Sequence, residues 1–160
     1  MPEAPDPDRS HDALHNAPLD EPESGPRPFS WQGAGEVLLA DDEPTVRHVA
    51  TRALQRLGLT VTACANGREA VDLFIADPDR WRLVVLDLTM PVLAGDEALV
   101  LILARRADVA ALLYSGYSEV DVSHRFSSLG RVGFLQKPFT VRALSDAVRD
   151  LLGPSGTEAA

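Results

Sequence analysis

Arg82-Leu83-Val84-Val85-Leu86-Asp87 decides the fold of this chain. A short apolar run closed by a carboxylate reads as a buried strand that delivers Asp87 at its C-terminal end. Working outward, Glu36 to Ala40 is a second such run, followed by Asp41-Asp42-Glu43 and a proline, Pro44, at the first position of a helix. Val46, Val49, Ala50, Ala53, Leu54 and Leu57 repeat at helical spacing, and Gly58 stops the helix. Thr60 to Ala65 is rich in β formers, Asn66-Gly67 reads as a turn, and a helix runs through Ala70, Val71, Phe74 and Ile75 to Asp77-Pro78. Beyond Asp87, Pro91 and Gly95 bracket a loop before an apolar helix, Asp96 to Arg105. Ala110 to Tyr114 is the next strand, and Ser118 to Phe126 a weakly periodic helix. Val132 to Leu135 is the last strand. Thr140 caps a final helix with the stripe Val141, Leu144, Val148, Leu151 and Leu152.

The order is strand then helix, five times. Right-handed crossovers then place helices on both faces of a doubly wound parallel α/β sheet. The expected boundaries are 36–152 for the domain, 1–35 for a lead-in and 153–160 for a short tail. The lead-in holds seven of the twelve prolines and seven acids against Arg9 and Arg27. Such a composition cannot offset its ordering entropy, so disorder is expected there, as a linker or as a docking arm using Phe29 and Trp31. His11 and His15 fall in that segment.

The 160 residues carry a net charge of −9, which argues against a surface built for nucleic-acid phosphates. One cysteine, Cys64, cannot form an internal disulfide. No apolar run reaches the roughly 20 residues of a membrane span, and the N-terminus lacks a signal-peptide pattern. A cytoplasmic protein with no membrane contact is expected.

Strand ends in a parallel sheet gather along one edge, where ligands bind. Asp41 and Asp42, Asp87, Ser115 and Lys137 each follow a strand and should converge there. Carboxylate pairs about 4 Å apart repel by roughly 4 kcal/mol at an effective dielectric near 20. A hard cation removes that cost, and Mg²⁺ accepts a few carboxylates while leaving room for phosphate oxygens. Asp87 is the candidate nucleophile, since an aspartate can accept a phosphoryl group as an acyl phosphate. Catalysis of such a transfer is mostly positioning and cationic clamping. Lys137 supplies a clamp and Ser115 a hydroxyl donor. A proline after Lys137 hints at a cis bond, although the sequence leaves the isomer open.

Leu38 to Pro44, Leu86 to Gly95, Tyr114 to Tyr117 and Phe134 to Phe139 together resemble the receiver domain of two-component response regulators, over about residues 36–152. They are most similar to receivers carried by hybrid sensor histidine kinases, or to stand-alone receivers. The resemblance implies a flavodoxin-like (βα)5 fold with strand order 2-1-3-4-5. It implies Asp87 as phosphoacceptor for a histidine kinase or histidine phosphotransfer protein. It assigns Mg²⁺ to Asp42, Asp87 and the Thr89 backbone carbonyl, with Asp41 acting through a water. Ser115 and Lys137 would contact the phosphoryl group, and Phe134 would be the switch aromatic. Movement of Ser115 toward the phosphoryl oxygens would let Phe134 turn inward and repack the fourth helix, fifth strand and fifth helix as a partner-binding face. The protein would be a monomer or a phosphorylation-dependent dimer.

Thr89 and Tyr117 occupy the family's rate-tuning positions, and neither readily orients an attacking water. A long-lived phosphoryl state is therefore expected. His48 and His124 read as solvated, Trp81 as packing and Cys64 as buried and inert. A dehalogenase-like phosphatase would also use an aspartate, Mg²⁺ and a lysine, but it wants an acid where Thr89 stands. A degenerate receiver is disfavoured by the complete set Asp41, Asp42, Asp87, Ser115 and Lys137. The expectation is thus a signalling module that is not a turnover enzyme, with no effector or DNA-binding segment after Leu152.

Overall fold

The computed structural model describes residues 31–116, Phe126 and residues 130–153. The chain divides into two units, residues 1–31 and 32–160, and everything below concerns the second. The expected lead-in to residue 30 and tail from residue 154 lie outside the described residues, as does the expected helix at 118–126 apart from Phe126.

Among the described residues five strands form one parallel sheet: β1 (Glu36–Ala40), β2 (Thr60–Cys64), β3 (Trp81–Asp87), β4 (Ala110–Ser115) and β5 (Val132–Gln136). Their order is β2-β1-β3-β4-β5, the doubly wound order expected from the resemblance. Four described helices accompany them: α1 (Pro44–Arg56), α2 (Gly67–Ala76), α3 (Gly95–Arg105) and the C-terminal α4 (Val141–Leu152). Pro78–Arg80 forms a short 3-10 turn where the sequence suggested only a helix end.

Burial follows strand position. Nearly all of β1, β3 and β4 is buried, whereas β2 and β5 at the sheet edges are partly exposed. Side chains alternate across the sheet with period two. Leu38, Ala40, Val84, Leu86, Ala111 and Leu113 join Val71, Phe74, Leu99 and Ile102 of α2 and α3 in one core. Val37, Leu39, Leu83, Val85 and Leu112 point to the opposite face, where α1 and α4 pack together. Burying a side chain of this size stabilises by about 1.5–3 kcal/mol.

The helix ends are set by local chemistry. Pro44 opens α1, and Gly58, at a φ of 93°, lets the chain reverse after Leu57. The Thr140 hydroxyl accepts the Ala143 N–H at 2.9 Å to start α4. Asn66-Gly67 is not a free-standing turn: Asn66 caps α2 and Gly67 is its first residue. Gly33 and Gly35, assigned by composition to the lead-in, are bonded into the domain. The Gly33 N–H donates to Leu57 O at 2.6 Å, and Gly35 O accepts from Thr60 N at 3.0 Å.

Candidate functional site

Register builds the site. Ala40 of β1 pairs with Leu86 of β3, and Asp87 pairs with Tyr114 of β4. Asp41, Asp87 and Tyr114 therefore stand in one row across three adjacent strands, on the α1 and α4 face of the sheet. Ser115 follows on the opposite face and is buried. The Lys137 N–H donates to Ser115 O at 2.8 Å, which fastens the turn after β5 to the end of β4. The Lys137–Pro138 peptide is cis.

The Lys137 ammonium closes the group. Its Nζ donates to Asp87 Oδ2 at 2.9 Å and to Glu43 Oε1 at 2.8 Å, and lies 3.8 Å from Asp41 Oδ2. Carboxylate oxygens of Asp41, Glu43 and Asp87 all fall within 4.8 Å of one another. Asp41 is fully buried; its Oδ1 accepts the Glu43 N–H at 2.9 Å and its Oδ2 the Tyr114 hydroxyl at 2.7 Å. The Arg47 guanidinium donates to Asp41 O at 2.7 Å and so steadies the first turn. Asp87 Oδ1 accepts the Thr89 N–H at 3.1 Å.

Three acids and one ammonium leave a deficit of positive charge. Burial pushes Asp87 up to about 6, and the Asp41 charge adds to it, against the opposing pull of Lys137 and the Thr89 N–H. Burial works against a charged Lys137. Its hydrogen bonds to Glu43 and Asp87, with the charges of Asp87 and Asp41, outweigh that and raise its pKa. Burial, then the charge of Asp41, drives the Tyr114 phenol well above its ordinary value. Cys64, off the site, is pushed up to about 11 by burial and by Glu69, so its thiol stays protonated and unreactive.

Of the residues singled out in the sequence, Asp41, Asp87 and Lys137 meet directly. Asp42 is exposed and lies outside the group that Asp41, Glu43 and Asp87 form. Thr89 is exposed beside Asp87. Phe134 is partly buried, its ring 6.5 Å from that of Phe126. His48 is exposed and Trp81 buried, while Tyr117 and His124 lie outside the described residues. Glu43 and Tyr114 stand in the sequence motifs, but no sequence pattern assigns them a role. The hydroxyl ending an aliphatic strand was the signal for Tyr114, since a buried Tyr O–H seeks a partner.

A cleft of about 430 Å³ adjoins the ammonium, lined by Glu43, Thr45, Val46, Val49, Lys137 and Phe139 along with Pro138. Among the described residues no helix is long and apolar enough to cross a membrane.

The model of the response regulator receiver domain matches residues 37–149. A sensor kinase, CckA of Brucella abortus, is 33% identical over 120 residues, which are 75% of this chain and 13% of that protein. The sporulation initiation phosphotransferase F of Bacillus subtilis is 27% identical over 73% of this chain and 93% of its own length. The crystallised chemotaxis response regulator CheY4 of Vibrio cholerae has a TM-score of 0.64 at 27% identity, covering 74% of this chain and 99% of that one. The chain spans less than half of several curated relatives, 48% of a probable transcriptional regulator from Porphyridium aerugineum among them.

Proposed function

The chain belongs to the response regulator receiver domain family, and from that premise we propose that Asp87 is the phosphoacceptor of a two-component relay. The observation that carries this is the Lys137 ammonium, 2.9 Å from Asp87 Oδ2 in an acidic group at the strand ends. A carboxylate oxygen of Asp87 attacks the phosphorus of a phosphohistidine. The O–P bond forms, the N–P bond breaks, and the imidazole leaves and takes up a proton. Lys137 is already placed to meet charge building on the phosphoryl oxygens. The donor is a histidine kinase or a histidine phosphotransfer protein, and the apolar cleft beside Lys137 gives it a surface to rest on.

The donor set fits a divalent cation. All three gathered side chains offer hard carboxylate oxygens, and their charge exceeds what Lys137 supplies. Asp41, Asp87 and Glu43 would hold Mg²⁺, joined by Asp42 and the Thr89 carbonyl, which the family resemblance assigns. When bound, the cation offsets the acids' charge and draws phosphoryl oxygens toward Asp87. The chain's own part is to fix Asp41, aim Asp87 and hold Lys137 close.

Ser115 would supply a hydroxyl to the phosphoryl group, and Phe134 would report its arrival to the face around β5 and α4. Phosphorylation adds about −1.5 to −2 charges, and only a difference in affinity between the two states shifts the switch. A downstream partner would read that face, with the chain as a monomer or a phosphorylation-dependent dimer in the cytoplasm. With Thr89 next to the acceptor, hydrolysis would be slow, so the domain acts as a switch and not as a turnover phosphatase.

The test is uptake of phosphate from a small acyl phosphate with Mg²⁺. A base-labile phosphoryl group should form on the parent chain and be absent from Asp87→Asn. Label that persists in Asp87→Asn, or uptake indifferent to chelation, overturns the assignment.

A further inference from the structure

Strand β4 is aliphatic through Leu113, and a buried tyrosine, Tyr114, stands next before its last residue, Ser115. The Tyr114 hydroxyl reaches past β3 to Asp41 Oδ2, 2.7 Å away. With the Glu43 N–H on Oδ1 at 2.9 Å, both oxygens of this buried acid are held by protein donors. The Tyr114 ring also presents its face to the Lys137 ammonium, 5.2 Å from the centroid. Its other neighbour is Phe139, two residues beyond the lysine, with ring centroids 5.0 Å apart at 48°. One side chain thus touches the first acid of the site, its ammonium, and the loop that carries that ammonium.

We propose that Tyr114 is a positioning residue of the phosphoryl site, whose hydroxyl fixes Asp41 and whose ring face sets the rest position of Lys137. The inference rests on reading the site as a Mg²⁺-assisted phosphoacceptor. It makes the phenol a competitor of the cation for the charge of Asp41. A hydrogen bond to an ionised acceptor is stronger than a neutral one, and a buried carboxylate deprived of it needs another positive partner. The tyrosine therefore holds Asp41 still at the cost of weaker cation binding. An aliphatic residue at this position would leave Asp41 freer and the cation more tightly held.

The experiment is a calorimetric titration of the full chain with Mg²⁺ alone, for the parent, Tyr114→Phe, Asp41→Asn and the double variant. Tyr114→Phe keeps the ring and should bind Mg²⁺ about three- to tenfold more tightly. That gain should vanish in the Asp41→Asn background. The chain has two tyrosines, so carbon labelling at tyrosine Cζ gives a readout in the nuclear magnetic resonance spectrum that needs no activity. One resonance should move with Mg²⁺ in the parent and stay put in Asp41→Asn. Equal affinities of the parent and Tyr114→Phe, a gain that persists without Asp41, or a lowered melting temperature with no change in affinity would each overturn the proposal. A parent that binds no Mg²⁺ overturns this inference and the phosphoacceptor reading together; a parent that binds while Tyr114→Phe merely matches it overturns this inference alone.

Discussion

The connections that follow β2 and β3 lie against each other and are built on opposite principles. After β2 the chain turns into α2 within Ala65 and Asn66. Asn66 Oδ1 accepts the Glu69 N–H at 2.9 Å, and Glu69 Oε1 accepts the Ala65 N–H at 2.9 Å. Asn66 satisfies a backbone donor that the helix start leaves over, and Glu69 reaches back to the residue before the cap, close to the reciprocal logic of a capping box. After β3 the chain takes seven residues, Leu88 to Ala94, to reach α3. There Val92 sits at a φ of 70° with its side chain in solvent. The Thr89 N–H goes to the Asp87 carboxylate, and the Gly95 N–H returns to Leu88 O at 3.0 Å. Where nothing reactive is held, every local preference agrees with the fold; where Asp87 is held, the backbone adopts a shape its residues do not favour.

The sharpest way to break this comparison is to fill its two glycines. A Cβ on Gly95 would stand 2.2 Å from Asp87 O, and a Cβ on Gly67 would stand 2.1 Å from Leu93 O. Neither carbonyl belongs to a flexible side chain, so the backbone must move. Each alanine variant should lose about 3–5 kcal/mol in urea unfolding. The outcomes then diverge at the site. Gly95→Ala displaces the peptide of Asp87 itself and should slow phosphate uptake per folded molecule, while Gly67→Ala should leave that rate near the parent's. Equal uptake by both would show that Asp87 tolerates a shifted backbone.

The next effect is electrostatic and confined to the β3 side. Without divalent cations, Asp87 titrates near 6 in the folded chain against an ordinary 3.8. Between those values the folded state binds more protons than the unfolded one. Stability must therefore fall as pH rises through this window and stay at the lower level above it. Two units correspond to roughly 3 kcal/mol at most, and because Lys137 loses a partner in Asp87→Asn, the gain should be nearer 1–2 kcal/mol at pH 7. Asp87→Asn should also flatten the pH dependence between about 4 and 6, where its carboxylate no longer titrates. A variant less stable than the parent at pH 7, with the slope intact, would mean that Lys137 fully compensates the acids.

The same contrast explains what the sequence could reveal. The strands were legible because Leu-Val-Val-Leu and Glu-Val-Leu-Leu-Ala have nowhere to go but a sheet buried on both faces. Asp41, Asp87 and Lys137 were legible because strand ends in such a sheet share an edge. Asp42 and Glu43 were not separable, since both lie past the end of β1, where loop geometry and not strand alternation sets direction. In the sequence Gly95 only brackets a loop; its closeness to Asp87 O depends on how α3 folds back over β3. Tyr114 reaches past β3 to the end of β1, a distance no local pattern encodes.

The smallest effects carry opposite signs and test the comparison residue by residue. Asn66→Ala removes a side-chain acceptor from a turn that obeys its preferences and should cost about 1 kcal/mol. Val92→Gly acts on the turn that does not. A β-branched residue in the left-handed region costs roughly 1–2 kcal/mol, and glycine's own chain entropy returns about 0.5–1 of that. Val92 is 76% exposed, so truncation forfeits little packing. Val92→Gly should therefore be more stable than the parent by about 0.5–1 kcal/mol in urea unfolding, with phosphate uptake unchanged, because Asp87 is held by Gly95, Thr89 and Lys137 and not by the turn's apex. A destabilised Val92→Gly would show instead that the valine side chain makes the loop rigid, and that its unfavoured backbone is part of how Asp87 is aimed.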